Sequence, residues 1–342
     1  MSSECNKKWI FLTFNDLITK LKNQGLIVWE EQKLLWYIKS YNYQNIIQNF
    51  RKPFYKINNY FKWSNSQMII DLFNFNRNIS TIIINDLHDV EMKLSSAISY
   101  EIMTIIKAPS LISLKEENII FNVKLNKLEE TYKIIETNFA EIKKKKEFKS
   151  KNLTNWKTTP LYILSLMWTF GISINIFSIL NNSIQKKILQ NYFPKIKDIE
   201  LDTFKSLLYA FKDLRNKISH NNIIYDFKFK YKEVIYQLVD IKNNQKIDNK
   251  IKRKIEKDFL QILNNQNGIN CKLMNVIKII ALINNNNQIE DLILNKLKNL
   301  KESIYYGKSG KNRYHPCKQA WKNILNFLGM EEEKEEYNYD LD

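Results

Sequence analysis

The stretch from Asp213 to Asn222 places Arg215, Asn216, Ser219 and His220 together in a chain of 342 residues that holds only 3 histidines. Imidazole exchanges a proton near neutral pH, and guanidinium is a permanent planar donor that grips two phosphate oxygens. Phosphodiester cleavage uses both. A proton must move at the attacking and leaving oxygens, and charge on phosphorus must be stabilised. In an ideal helix Asn216 and His220, four apart, stack on one face, so the amide is placed to hold the imidazole tautomer. Arg215 and His220, five apart, diverge by about 140°. They meet only where the helix ends or unwinds, and Asn221-Asn222 provides an ending because Asn tolerates the left-handed conformation of a helix C-cap. A helix C-terminus also favours the imidazolium through its dipole, which suits His220 to act as an acid. The same residues allow a plainer arrangement, in which Arg215 pairs with Asp213 or another acid and His220 only caps the helix.

The segment that carries these groups closes a helical pattern of Leu207, Leu208, Phe211, Leu214 and Ile218. The whole chain reads the same way. It is 44% hydrophobic and 13% aromatic, enough to bury a sizeable core, and only 6 Gly and 5 Pro interrupt it. The expected fold class is therefore all-α.

Helical patterns run over 9–23, stopped by Gly25, and over Glu30–Phe50, closed by Pro53. Ser64 is the expected N-cap of a long run from Gln67 to Lys107, read as one very long helix or two in line. There His88 and Glu91, three apart, share a face. A helical pattern over 114–150 ends in Lys143, Lys144, Lys145 and Lys146, a candidate set of phosphate contacts. After Pro160 come Leu161–Phe170 and Ile172–Leu189, and Pro194 separates these from the helix that ends at His220. Further helices are expected at 231–241, 250–263, Lys272–Ile283, Ile289–Ile304 and Lys318–Leu328. Gly307–Lys311 is not a phosphate-binding loop, because Glu302 stands where the pattern requires glycine. His315 and Cys317 are two possible metal ligands without a second pair nearby.

The formal charge is +17. Residues 331–342 carry seven acids and one lysine, a net of −6, which leaves +23 on residues 1–330. A body this basic favours a polyanion, nucleic acid first and an anionic membrane surface second. Cys5, Cys271 and Cys317 are scattered, so neither a disulfide framework nor a structural zinc site is expected, and the usage suits a reducing cytosol. No stretch reaches about 18 apolar residues, so membrane spanning is not expected and a cytoplasmic location is.

Four blocks in order resemble the Abi-like family of bacterial abortive-infection proteins, within the wider HEPN superfamily. They are Leu17–Leu26 followed by Tyr41-Asn-Tyr43; Leu72–Arg77 running to Val90–Ser96; Pro160-Leu-Tyr through Trp168–Gly171; and Leu214–Asn222, which resembles the superfamily's Arg-x4-6-His signature with Asn after the Arg. The resemblance covers roughly residues 15–240. It implies a HEPN-type helical bundle in which Arg215 binds phosphate, Asn216 positions the imidazole and His220 does acid/base work. RNA would be cut without a metal or other cofactor to give 2′,3′-cyclic phosphate ends. Since such sites combine two domains and this chain shows one motif, it also implies a homodimer. Arg77 and Lys217 join the Lys143–Lys146 run as candidate RNA contacts. Some relatives pair with a small noncoding RNA, so a non-cleaving ribonucleoprotein is the alternative to an antiphage endoribonuclease. The expected organisation is an N-terminal helical segment (1–60), a HEPN-like core (61–240), a C-terminal helical region (241–330) and an acidic tail (331–342).

Overall fold

A computed structural model of the chain describes residues 12–106, 129, 133, 136–137, 140, 158–197, 200–229, 271–286, 288–309, 312–313 and 315–330. The fold is all-α. The main helices among the described residues are α1 (Phe14–Asn23), α2 (Glu31–Tyr41), α3 (Ser66–Ile106), α4 (Leu161–Leu164), α5 (Phe170–Ile179), α6 (Asn182–Tyr192), α7 (Leu201–Ser219), α8 (Leu273–Asn284), α9 (Gln288–Ile304) and α10 (Lys318–Leu328). Strands among them form three antiparallel pairs of two residues each. The chain divides into two compact units, Met1–Ser80 with Asp291–Asp342, and Thr81–Glu290. The 41-residue helix α3 contributes to both, so the long apolar run after Ser64 is one helix.

In the first unit, short side chains and left-handed residues set the helix ends. Thr13 caps α1 in a capping box: its Oγ1 accepts from the Asp16 N–H, and Asp16 Oδ2 accepts from the Thr13 N–H. The Thr13 hydroxyl also donates to Asp16 Oδ2, and this bond, with the one from the Thr13 N–H, holds the Asp16 carboxyl below its usual range. Gly25, at φ 85°, ends the helix with Gly25 N–H to Lys22 O at 2.9 Å and Leu26 N–H to Leu21 O at 3.0 Å. The expected helix over Glu30–Phe50 is interrupted. Asn42 turns left-handed at φ 70°, its Oδ1 accepts from the Gln44 N–H at 2.9 Å, and the chain resumes as a short π-helix at Gln44–Gln48.

The cap of α3 is also a correction, because Asn65 rather than Ser64 accepts from the Met68 N–H, at 3.0 Å. Ser64 is buried, its Oγ facing Phe54 O at 3.4 Å. On α10, Trp321, Ile324, Leu325 and Leu328 are all buried, as their spacing requires. Asn323 Nδ2 donates to Pro53 O at 2.8 Å and ties that helix to the turn at Lys52–Phe54.

In the second unit, α3 buries Leu87, Val90, Leu94, Ala97 and Ile98 along one stripe. The pattern expected over 161–189 breaks into more pieces than the apolar residues suggest. Thr169 caps α5, which takes in Gly171, and Asn181 caps α6 by accepting from the Ile184 N–H at 3.0 Å. Buried Gln185 donates to Phe177 O and Leu180 O at 2.8 and 2.9 Å, satisfying carbonyls at the end of α5. Phe204 of α7 is fully buried between Phe177 and Phe193, with ring centroids 5.4 and 4.9 Å away. Its burial stabilises the seat of α7 by about 2–3 kcal/mol. At the end of α8, Asn284 and Asn286 donate to buried Asp86 of α3, with Asn286 Nδ2 to Asp86 Oδ1 at 2.9 Å.

Candidate functional site

The groups singled out for chemistry lie at the C-terminal end of α7. Leu207, Leu208, Phe211, Leu214 and Ile218 are buried on its inner face. The same 3.6-residue period therefore leaves Asn216, Lys217, Ser219 and His220 exposed. The helix ends where the asparagine pair predicts. His220 is the C-cap, Asn221 sits in the left-handed region at φ 52°, and two bonds close a Schellman turn: Asn221 N–H to Ile218 O at 3.0 Å and Asn222 N–H to Lys217 O at 2.9 Å. Beyond the turn the chain is anchored by buried Ile224, Tyr225 and Phe227. Burial pushes the Tyr225 phenol well above its ordinary range, and the neighbouring Asp226 charge adds to the effect.

Because α7 stays helical through Ser219, Asn216 and His220 stand one turn apart while Arg215 is offset around the helix. The guanidinium bridges part of that gap. Arg215 Nη1 reaches Asn216 Oδ1 at 3.4 Å, a long and weak contact. On its other side Arg215 Nε lies 3.8 Å from Glu91 Oε2 of α3, with the two side chains 32% and 15% exposed. That separation is an ion pair without a hydrogen bond, and Nε is shielded from solvent with no hydrogen-bond partner. The motif arginine thus pairs with an acid, as the plainer reading allows, but with Glu91 rather than Asp213. His88 is exposed three residues before Glu91 on the same helix. No signal within the motif identifies Glu91; only its place in a second block of the sequence marks that part of α3.

The remaining candidates are spread more widely. Lys217 is exposed beside the motif, in the last turn of α7. Arg77 belongs to the first unit, where its guanidinium donates to Tyr41 Oη at 2.9 Å and lies 5.1 and 5.6 Å from the Tyr41 and Phe73 rings. Lys143, Lys144, Lys145 and Lys146 lie outside the described residues. His315 and Cys317 are directed elsewhere than to a shared metal. His315 stacks on Trp63, and buried Cys317 packs its Sγ 3.5 Å from Ser64 Oγ. Among the described residues no cluster of three or more His, Cys, Asp or Glu could hold a metal ion, and no helix is long and apolar enough to cross a membrane.

No curated protein and no solved structure matches the chain. The family whose sequence model does match is that of the Abi-like proteins, over residues 36–226, more than half of the chain. The match runs from α2 through the Arg215–His220 motif to the buried anchor at Tyr225. The chain belongs to the Abi-like protein family.

Proposed function

We propose that this protein is an RNA-binding abortive-infection protein and a metal-independent endoribonuclease of the HEPN type, working as a homodimer. Family membership suggests the defence role. The observation that carries the chemistry is the exposed end of α7, where Asn216 and His220 stand one turn apart and Arg215 Nη1 leans onto Asn216. The guanidinium's other nitrogens are the donors that meet a phosphate, two of whose oxygens a planar fork can grip.

His220 takes the proton of a ribose 2′-hydroxyl as that oxygen attacks the adjacent phosphorus. Arg215 neutralises the non-bridging oxygens, and a protonated imidazole delivers the proton to the departing 5′-oxygen. One bond forms between O2′ and phosphorus and one breaks between phosphorus and O5′. The products are a 2′,3′-cyclic phosphate and a 5′-hydroxyl. Since Arg215 and His220 of one copy diverge, the imidazole of one copy works with the guanidinium of the other.

The test is cleavage of purified RNA by the His220→Ala protein. Cleavage should disappear while the melting temperature and RNA affinity stay near wild type; unchanged cleavage would overturn the reading. A second reading is favoured by the Glu91 contact, which holds Arg215 back from a phosphate. In it the motif grips a cognate small noncoding RNA without cutting it, and intact RNA copurifies with the protein and leaves at high salt.

A further inference from the structure

The first unit carries a second collection of groups suited to nucleic acid, away from the motif in sequence and built around Cys317. The Cys317 N–H donates to Ile304 O at 2.9 Å, and its Sγ lies 3.5 Å from Ser64 Oγ and 3.8 Å from Lys62 O. One buried residue therefore joins the turn before α3, the end of α9 and the start of α10.

The turn before α3 and the end of α9 each present aromatic rings with lysines over them, and the start of α10 adds Lys318. Trp63 is 39% exposed and stacks on exposed His315, with centroids 4.0 Å apart and planes 31° from parallel, and Lys62 Nζ is 5.0 Å from the indole. Tyr305 and Tyr306 meet edge to face at 4.9 Å. Lys301, Lys308 and Lys318 place their ammonium groups 5.1 to 5.9 Å from these two rings.

Three features set this surface apart from a solvated helix end. Residues 301–318 carry five basic residues and one acid, so the local field favours an anion. The first turn of α10 holds Lys318 and no acid, so the helix dipole adds to that field. Trp63 is held at φ 71°, a conformation that a bulky residue rarely adopts and that keeps the indole against His315. Flat rings next to ammonium groups match unpaired bases joined by phosphates, because every base offers a face for stacking and every linkage a charge.

We infer that the Trp63–His315 stack and the Tyr305–Tyr306 pair with its lysines form a platform for single-stranded RNA, separate from the α7 motif and independent of cleavage. The inference deepens the RNA-binding reading and rests on it. It gives the hairpin of Lys308–Ser309 and Asn312–Arg313 the task of lining an RNA path.

The test uses the full chain and a fluorescent 2′-O-methyl oligoadenylate of about 12 nucleotides. This probe lacks the hydroxyl that the proposed cleavage needs, so binding is read apart from His220. Trp63→Ala and His315→Ala should each weaken binding about tenfold, and Trp63→Phe should restore most of it. Replacing Lys301, Lys308 and Lys318 by Gln should lower the slope of log affinity against log salt by about 2. A duplex of the same length should bind more weakly and ignore Trp63 and His315.

Equal binding of the single strand by wild type, His315→Ala and the lysine variant would overturn the platform, while leaving the His220 test untouched. So would a duplex bound as tightly as the single strand, or binding of anionic phosphatidylserine vesicles through these residues in place of the oligonucleotide. Failure of the wild-type protein to bind any RNA would remove the platform and the RNA-binding reading together.

Discussion

Arg215 Nε stands 3.8 Å from Glu91 Oε2, which ties the motif arginine of α7 to the middle of α3 by charge without a hydrogen bond. The pair is largely sheltered, so removing the carboxylate leaves the guanidinium charge without its counterpart. Glu91→Gln should therefore lower a denaturation midpoint. With one negative charge removed from beside the proposed phosphate contact, RNA affinity should rise slightly, and on the proposed mechanism the cleavage rate should fall about tenfold as the guanidinium loses its orientation. Rates and affinities that both match wild type would show that Glu91 plays no part in the site.

The Schellman turn gives a second handle, since Asn221 at φ 52° fixes the direction in which His220 leaves the helix. Asn221→Gly keeps the turn and should change stability by only a few tenths of a kcal/mol. Asn221→Val places a β-branched side chain in the left-handed region and should destabilise the protein by about 1–2 kcal/mol. On the proposed mechanism the valine variant also loses cleavage well below its melting temperature. Urea titration and RNA cleavage measured together separate the two effects.

Burial raises the Tyr225 phenol above its ordinary value of 10.0, so the folded chain keeps a proton that the unfolded chain gives up. The stability tied to this group is fully present below about pH 10. Above that it is lost, by about 1.4 kcal/mol per pH unit, until the folded phenol itself ionises. Urea midpoints between pH 8 and pH 11 should fall steeply at the alkaline end for wild type and less steeply for Tyr225→Phe. Parallel curves would place the alkaline sensitivity elsewhere.

A reaction run by imidazole and guanidinium needs no divalent ion. Cleavage should proceed at the same rate in EDTA as in magnesium, apart from ionic-strength effects on RNA binding. The products should carry 2′,3′-cyclic phosphates, read by mass spectrometry. A rate that collapses in EDTA and returns with a divalent cation would rule out the mechanism proposed for His220.

Much of the architecture was legible in the letters because it rests on interactions within about one helical turn. The apolar period marks α3, α7 and α10 with the right buried faces, and Gly25 and Asn221 end their helices by tolerating positive φ. The exposure of Asn216 and His220, one turn apart, follows from the same period. Other features depend on neighbours distant in sequence. Ser64 and Asn65 are both good caps by type; Asn65 does the capping, while Ser64 is drawn to Phe54 O and Cys317 Sγ. Asn42 breaks a helix whose residues have ordinary helical preferences. Glu91 meets Arg215, and Cys317 joins three segments around the aromatic platform, only because packed helices bring those residues together. A backbone preference is a property of a few adjacent residues and can be read locally, whereas the partner of a side chain is settled by which buried faces pack against one another, and that is decided by the tertiary structure.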